Sequence, residues 1–138
     1  MPEQATLEQS YLALIEFLML SKRQVIELGG EYGLSAMQAL TLLLLDHPRP
    51  MNNFKTIFNC DASNVTGLVD GLEQKKLAAR YESPTDRRIK MVKLKPKGAG
   101  VRTTLLSKMT GPHSYILSKL NAQEVSTFIA LVQKITTD

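Results

Sequence analysis

Arg87 and Arg88 stand side by side after the turn-forming run Ser83-Pro84-Thr85-Asp86, with Lys90 two residues further on. Guanidinium groups at a turn tip suit phosphate contact or insertion into a minor groove, because the planar cation tracks the narrow, negative channel. Asp86 beside them fits a local ion pair that locks the loop, or equally a simple turn residue. Upstream, Ser63, Asn64 and Thr66 group small hydroxyl and amide side chains at the start of a helical pattern. Such residues allow close approach to a groove, and Asn can pair bidentately with adenine. Cys60 precedes that pattern, where a helix dipole lowers a thiol's pKa and favours redox chemistry. A small buried residue anchoring the turn is its other reading, the usual one for a free cysteine. Asp70 and Glu73 could serve as an acid–base pair, but no nucleophile, metal set or Gly-rich phosphate loop accompanies them, so no enzyme is expected.

Charge gathers around these residues. Ten basic side chains lie between Lys75 and Arg102 against two acids, Glu82 and Asp86, a local net of +8 within a chain of net +4. A mildly acidic body therefore carries one basic segment, suited to a polyanion; a solvated, Lys-rich edge strand is the plainer alternative. The 138 residues make a single domain, 43% hydrophobic and 22% charged, as in ordinary globular chains. One cysteine and two histidines, His47 and His113, argue against a disulfide framework or an intrachain zinc site, and no cofactor is expected. The longest apolar run, Leu42 to Leu45, is too short for a membrane span. The start lacks a basic and then apolar leader, so a cytoplasmic location is expected.

The elements that must position these residues follow from periodicity. Leu7, Tyr11, Leu14, Ile15, Leu18, Val25 and Ile26 predict a helix from Leu7 to Leu28, stopped by Gly29-Gly30 and apolar over more than one face, so that it needs a covering partner. Ser35 and Gln38 form a capping box for a core helix ending before Pro48. Pro50 to Phe58 predicts a short helix with Pro50 in its first turn. Asp61, or alternatively Ser63, caps the next, whose Val65, Leu68, Val69 and Leu72 mark one face. Two short helices with a tight connection are a helix-turn-helix. Leu77–Glu82 and Lys90–Lys95 alternate as two strands around the arginine loop, a β-hairpin with a cationic tip. Pro96 opens another helix, Gly111-Pro112 breaks it, Ile116, Leu117 and Leu120 resume the pattern, and Asn121 with Glu124 caps the last helix. The fold class is mostly α with a small β-hairpin wing.

This order resembles the MarR family of bacterial transcription regulators. The match is most specific from Pro50 to Gly98: Cys60-Asp61-Ala62-Ser63-Asn64-Val65-Thr66-Gly67-Leu68-Val69-Asp70, then Leu72-Glu73, Leu77 and Arg80, the wing signature Asp86-Arg87-Arg88, and Lys93 to Gly98. The resemblance implies a winged helix-turn-helix lobe over 34–95 and helical dimerisation regions at 1–30 and 96–138. It implies a homodimer on a pseudo-palindromic operator in double-stranded DNA, acting as a repressor and released by a small, often aromatic, effector. On that footing Ser63, Asn64 and Thr66 face the major groove and Arg87 and Arg88 divide minor-groove and backbone duties. Lys90 and Lys75 are expected phosphate contacts. Tyr11, Phe17, Tyr32 and His113 are candidates for a ligand cleft, although aromatics at helical spacing are core residues first. Gly71 stands where many relatives carry Arg, and Lys76-Leu77 where Gly-Leu is frequent; the first departure implies a lost phosphate contact. A redox-responsive regulator acting through Cys60 and a winged-helix module that binds protein are the alternatives, the basic segment weighing against the second.

Overall fold

Helix α1 spans Gln4–Gly30, longer than its apolar pattern indicated, and passes through both glycines that were expected to stop it. Gly29 is buried because α2 (Ala36–Leu44) crosses there: a Cβ on Gly29 would stand 3.0 Å from the Cβ of Ala39. The turn that ends the helix is made instead by Gly33, in the left-handed region at φ 68°, where glycine carries no steric penalty. The computed structural model describes residues 3–112, 114 and 116–138; the ligand-cleft candidate His113 lies outside the described residues.

Ser35 caps α2 through the expected capping box, its hydroxyl accepting from the Gln38 N–H at 3.1 Å while Gln38 Oε1 accepts from the Ser35 N–H. The other end of α2 has no basic residue of its own. Two arginines from later in the chain fill that role: Arg49 Nε donates to the Leu44 carbonyl at 2.5 Å and Arg102 Nε to the Leu43 carbonyl at 3.0 Å. Both satisfy carbonyls that a helix end leaves open, at its negative pole.

Arg49–Pro50 form a two-residue strand, β1, and α3 runs Met51–Phe58. Pro50 is thus the residue before the helix rather than part of its first turn. Helix α4 (Ala62–Gln74) is capped by Asp61, not Ser63. It ends in a tight turn in which Lys76 N–H donates to Glu73 and Leu77 N–H to Leu72, both at 2.9 Å. Strands β2 (Ala78–Glu82) and β3 (Lys90–Leu94) pair antiparallel, Arg80 opposite Val92, and β1 adds on the far side of β3 to give the order β1-β3-β2. The expected hairpin is therefore a three-stranded sheet. A two-residue strand has no readable period, and proline is tolerated there because it sits at a sheet edge.

Helix α5 runs Pro96–Thr110 with Pro96 at its start, and α6 runs Ala122–Thr136 under the Asn121–Glu124 capping box. Between them the pattern at Ile116 to Leu120 yields only a 3₁₀ turn, Leu117–Lys119, rather than a resumed helix. The core lies in the middle of the chain: Leu34, Ala39, Leu42, Leu45, Phe54, Val65, Val69, Leu72, Leu77, Ala78 and Val92 form one buried cluster. Each large member contributes about 1.5–3 kcal/mol by leaving water. The ends contribute little to it. Helix α6 buries none of its residues, and α1 leaves Leu7, Tyr11, Leu12, Leu14, Ile15, Leu18, Met19 and Ile26 exposed. Phe17 of α1 and Phe128 of α6 meet edge to face at 5.6 Å. No described helix is long and apolar enough to cross a membrane.

Candidate nucleic-acid interface

The first turn of α4 is organised by one carboxylate. Asp61 accepts from the Asn64 N–H at 2.9 Å and from the Ser63 hydroxyl at 2.7 Å. These two donors, the Asn64 N–H first, hold its pKa below the ordinary carboxylate value. Thr66 Oγ1 donates to the Ala62 carbonyl at 2.9 Å. Ser63 and Thr66 are thereby oriented, while the Asn64 side chain stands exposed without an internal bond among the described residues. Ser63, Asn64, Thr66 and Gly67 all lie on the solvent side of a helix whose Val65, Val69 and Leu72 are buried.

The wing loop is built around a second carboxylate. Ser83 N–H donates to the Ile89 carbonyl and Ile89 N–H to the Asp86 carbonyl, closing the loop at 2.9 and 3.0 Å. Asp86 Oδ1 accepts from the Arg88 N–H at 3.0 Å, and its two oxygens take Arg88 Nε and a terminal guanidinium nitrogen, each at 3.1 Å. The Arg88 hydrogen bonds, side chain first, depress the Asp86 pKa. Arg88 stays 91% exposed in spite of this fork. Among the described residues Arg87 forms no ion pair.

Between wing and helix lies a cleft of about 230 Å³ lined by Met51, Lys55, Thr66, Arg88, Ile89 and Lys90, among others. It brings together Thr66, Arg88 and Lys90 from two separate sequence segments. It also adds Lys55 and Ile89, which the sequence reading passed over. The signal that recovers Lys55 is its place one turn after Met51 on a short helix. Lys90 also pairs with Glu82 across the strands at 3.1 Å.

Five other cations of the basic segment are engaged within the molecule. The Lys75 ammonium donates to the Gly33 carbonyl and reaches Gln38 Oε1 at 3.4 Å, at the far end of α4 from Ser63. Lys97 Nζ donates to the Lys75 carbonyl at 3.3 Å, Lys93 lies over the Tyr81 ring at 5.1 Å, and Arg102 caps α2. Arg80 binds Asp70 and Glu73, the two acids considered as an acid–base pair, at 2.6 and 2.7 Å. Gly71 faces inward: a Cβ there would lie 2.6 Å from Gln38 Nε2. That atom is the movable end of a flexible side chain, and Gly71 itself offers no side chain to a phosphate.

The aromatic candidates for a ligand cleft do not converge. Tyr11 is 69% exposed on α1, Phe17 packs on Phe128, and Tyr32 packs against the core beneath Lys108 Nζ, 5.4 Å from its ring. A cavity of about 410 Å³ instead opens between α1 and the end of α5, lined by Gln24, Glu27, Leu28, Ser107, Lys108 and Pro112 among others. Gln24 and Ser114 are buried there and joined at 3.4 Å. Lys108 bridges to Glu31 at 2.5 Å, and that hydrogen bond is the main cause of its raised pKa. Cys60 is half-buried against the core, its N–H donating to the Lys55 carbonyl at 3.2 Å.

Comparison with known proteins gives these features a context. Residues 34–90 match the sequence pattern of the MarR family. The HTH-type transcriptional regulator MhqR of Bacillus subtilis is 27% identical over 107 residues, covering 76% of this chain and 74% of that protein. Among solved structures, the transcriptional regulator BldR from Sulfolobus solfataricus superposes with a TM-score of 0.77 at 24% identity, over 97% of this chain and 99% of that one. A cysteine-to-serine mutant of MarR from E. coli, complexed with operator DNA, gives 0.65 at 23% identity over 98% and 99%. These structures share the fold.

Proposed function

Residues 34–90 place this chain in the MarR family, and from that premise we propose that it is a DNA-binding transcriptional regulator, a homodimeric repressor acting on a pseudo-palindromic operator. The observation that carries this reading is the shared cleft: the exposed first turn of α4 and the arginine wing border one cationic surface. In this assignment Asn64 reads a base edge, while Ser63 and Thr66, whose hydroxyl protons are already donated internally, accept from bases or stay close to the backbone. Arg88 enters the minor groove. Asp86 uses two of its five N–H donors and fixes the guanidinium in place, so its remaining donors meet the groove with little rotamer entropy left to lose. Arg87 and Lys90 take phosphates. Lys75, held at the Gly33 carbonyl, contributes only general positive potential.

Dimerisation uses the apolar faces that the fold leaves uncovered, Leu14, Ile15 and Leu18 of α1 with Ile129 and Val132 of α6. Patches of this extent are uncommon on monomeric proteins. A two-fold pair would set two α4 helices about one turn of B-DNA apart. A small aromatic effector that alters lobe spacing would release the operator. The relatives' printed names agree with this reading: MhqR is a transcriptional regulator, and E. coli MarR is seen with operator DNA.

The test is selection of bound fragments from sheared genomic DNA at ~150 mM salt, with sedimentation in the same buffer. One enriched inverted repeat bound by a dimer is the expected outcome. On that site, Asn64→Ala should cost about 1–3 kcal/mol and relax one base position. Arg87→Ala should weaken all sequences alike and lower the salt slope by about one. Equal loss on every sequence for Asn64→Ala overturns its role, and no binding even at low salt overturns the DNA reading in favour of a protein-binding module.

A further inference from the structure

An acidic side chain on a recognition helix repels DNA phosphates, yet α4 carries two, Asp70 and Glu73, within one turn. Both point to the wing. Arg80 of β2 donates from one terminal nitrogen to Asp70 Oδ1 at 2.6 Å, its Nε stands 2.7 Å from Glu73 Oε1 as an ion pair without a directed hydrogen bond, and its backbone N–H reaches Glu73 Oε2 at 3.5 Å. Strand β2 keeps the alternation its hydropathy suggests, with Ala79 and Tyr81 half-buried and Arg80 and Glu82 exposed. Ala78, 1% exposed, lies against α4, so strand alternation sends Arg80 to the same side. The small Ala78 lets strand and helix approach, and the long side chain two residues on reaches back along the helix.

We propose that Arg80 is a positioning residue, a latch that fixes the angle between recognition helix and wing, and that Asp70 and Glu73 are present on α4 to hold it. This rests on the DNA-binding reading above. A planar guanidinium spans two carboxylates at once, which a lysine ammonium cannot do with fixed geometry. The three side chains are between one third and one half exposed, so screening weakens the pairs but does not abolish them. Position gives them leverage. Strand β2 ends at Glu82, two residues beyond Arg80, and leads directly into the loop that carries Asp86 and Arg88. A change of strand angle at Arg80 is therefore passed on to the wing tip.

The discriminating variant is Asp70→Asn/Glu73→Gln, which leaves Arg80 in place and removes two negative charges. If Arg80 instead served as a direct phosphate contact, freeing it would strengthen binding to every sequence. The latch requires the opposite on the selected site: specific affinity lower by about tenfold or more, with non-specific affinity unchanged or higher. Arg80→Lys should show the same loss of specificity although its charge is kept. Hydrogen exchange of the dimer without DNA supplies a readout independent of binding. Amides of β2 and β3 should exchange faster in the double variant while those of α2 and α5 keep wild-type rates. Unchanged β2 and β3 exchange, or an unchanged ratio of specific to non-specific affinity, overturns the latch. Absence of an enriched site for the wild-type chain overturns the DNA reading, and exchange then still decides whether Arg80 holds helix to wing.

Discussion

Two glycines two residues apart in α5 should respond to the same substitution with opposite signs. Gly98 lies where the start of the helix crosses the entry to β2, and an added Cβ would stand 1.9 Å from the Leu77 carbonyl oxygen and 2.8 Å from its carbon. Relieving that overlap requires a backbone displacement of more than about 1 Å. The same carbonyl accepts the Lys95 N–H at 2.9 Å, so the shift breaks a bond that closes the wing onto α5. An orphaned buried carbonyl costs about 1–3 kcal/mol, and overpacking costs a similar amount. Alanine returns at most about 1 kcal/mol through helix propensity. Gly98→Ala should therefore destabilise by about 1–5 kcal/mol, the sum of those terms. Gly100 has no neighbour within 4 Å of its would-be Cβ, so Gly100→Ala gains propensity without a clash and should stabilise by up to about 1 kcal/mol. Urea unfolding at one fixed protein concentration measures both, since the stability of the proposed dimer depends on concentration. A Gly98→Ala protein as stable as the wild type would refute the reasoning, because it would mean that Leu77 and α5 can separate without cost.

Lys76 occupies the left-handed position of the turn after α4, at φ 61°, where a side chain carries a steric penalty that glycine avoids. Lys76→Gly should raise stability by about 1 kcal/mol, read as a higher urea midpoint with unchanged slope; a lower midpoint would show that the lysine side chain contributes more than the turn costs. Asp61 has its pKa lowered in the folded chain, first by the Asn64 N–H and then by the Ser63 hydroxyl. A carboxylate depressed on folding stabilises fully above its unfolded value and loses that contribution as pH falls through the folded one. Asp61→Ala should thus be less stable than the wild type at neutral pH, with a gap that narrows below about pH 4. A gap constant down to about pH 2.5 would mean that the cap works as a neutral acceptor.

The helical parts of the fold were legible because their signals are local. Ser35 with Gln38, Asp61, Pro96, and Asn121 with Glu124 each act within one turn of their own helix, and all four helix starts stand where those residues indicate. What escaped depends on partners distant in sequence. Arg49–Pro50 is a strand only because β3 lies beside it, and two residues show no alternation. Arg80 is exposed as its hydropathy indicates, but its two carboxylate partners on α4 cannot be read from the strand's own alternation. Gly29-Gly30 looks like a helix stop in one dimension, whereas Gly29 is a crossing point for α2. The surface residues of the candidate site were visible as types, Ser63, Asn64, Thr66 and Arg88, while Lys55 and Ile89 entered only once α3 and the wing were seen to share a cleft.

The basic segment shows why summed charge is a poor measure of a binding surface. Its ten cations look equivalent in sequence. In the fold, Arg102 closes the end of α2, Lys75 binds the turn at Gly33, and Arg80 joins helix to wing. Each of these satisfies a carbonyl or carboxylate that would otherwise weaken the lobe. A cation committed in this way adds to the long-range field but cannot rotate onto a phosphate without giving up its internal acceptor. Arg88 differs, since its partner Asp86 holds the side chain while leaving it almost wholly exposed. The local net of +8 therefore serves two ends. One part holds the recognition helix, wing and α5 in fixed relation, and the remainder, with Arg87, Arg88 and the neighbouring Lys55 foremost and Lys90 shared with Glu82, is left for the proposed contact with a polyanion. Affinity then depends on a few side chains, and their geometry depends on the others.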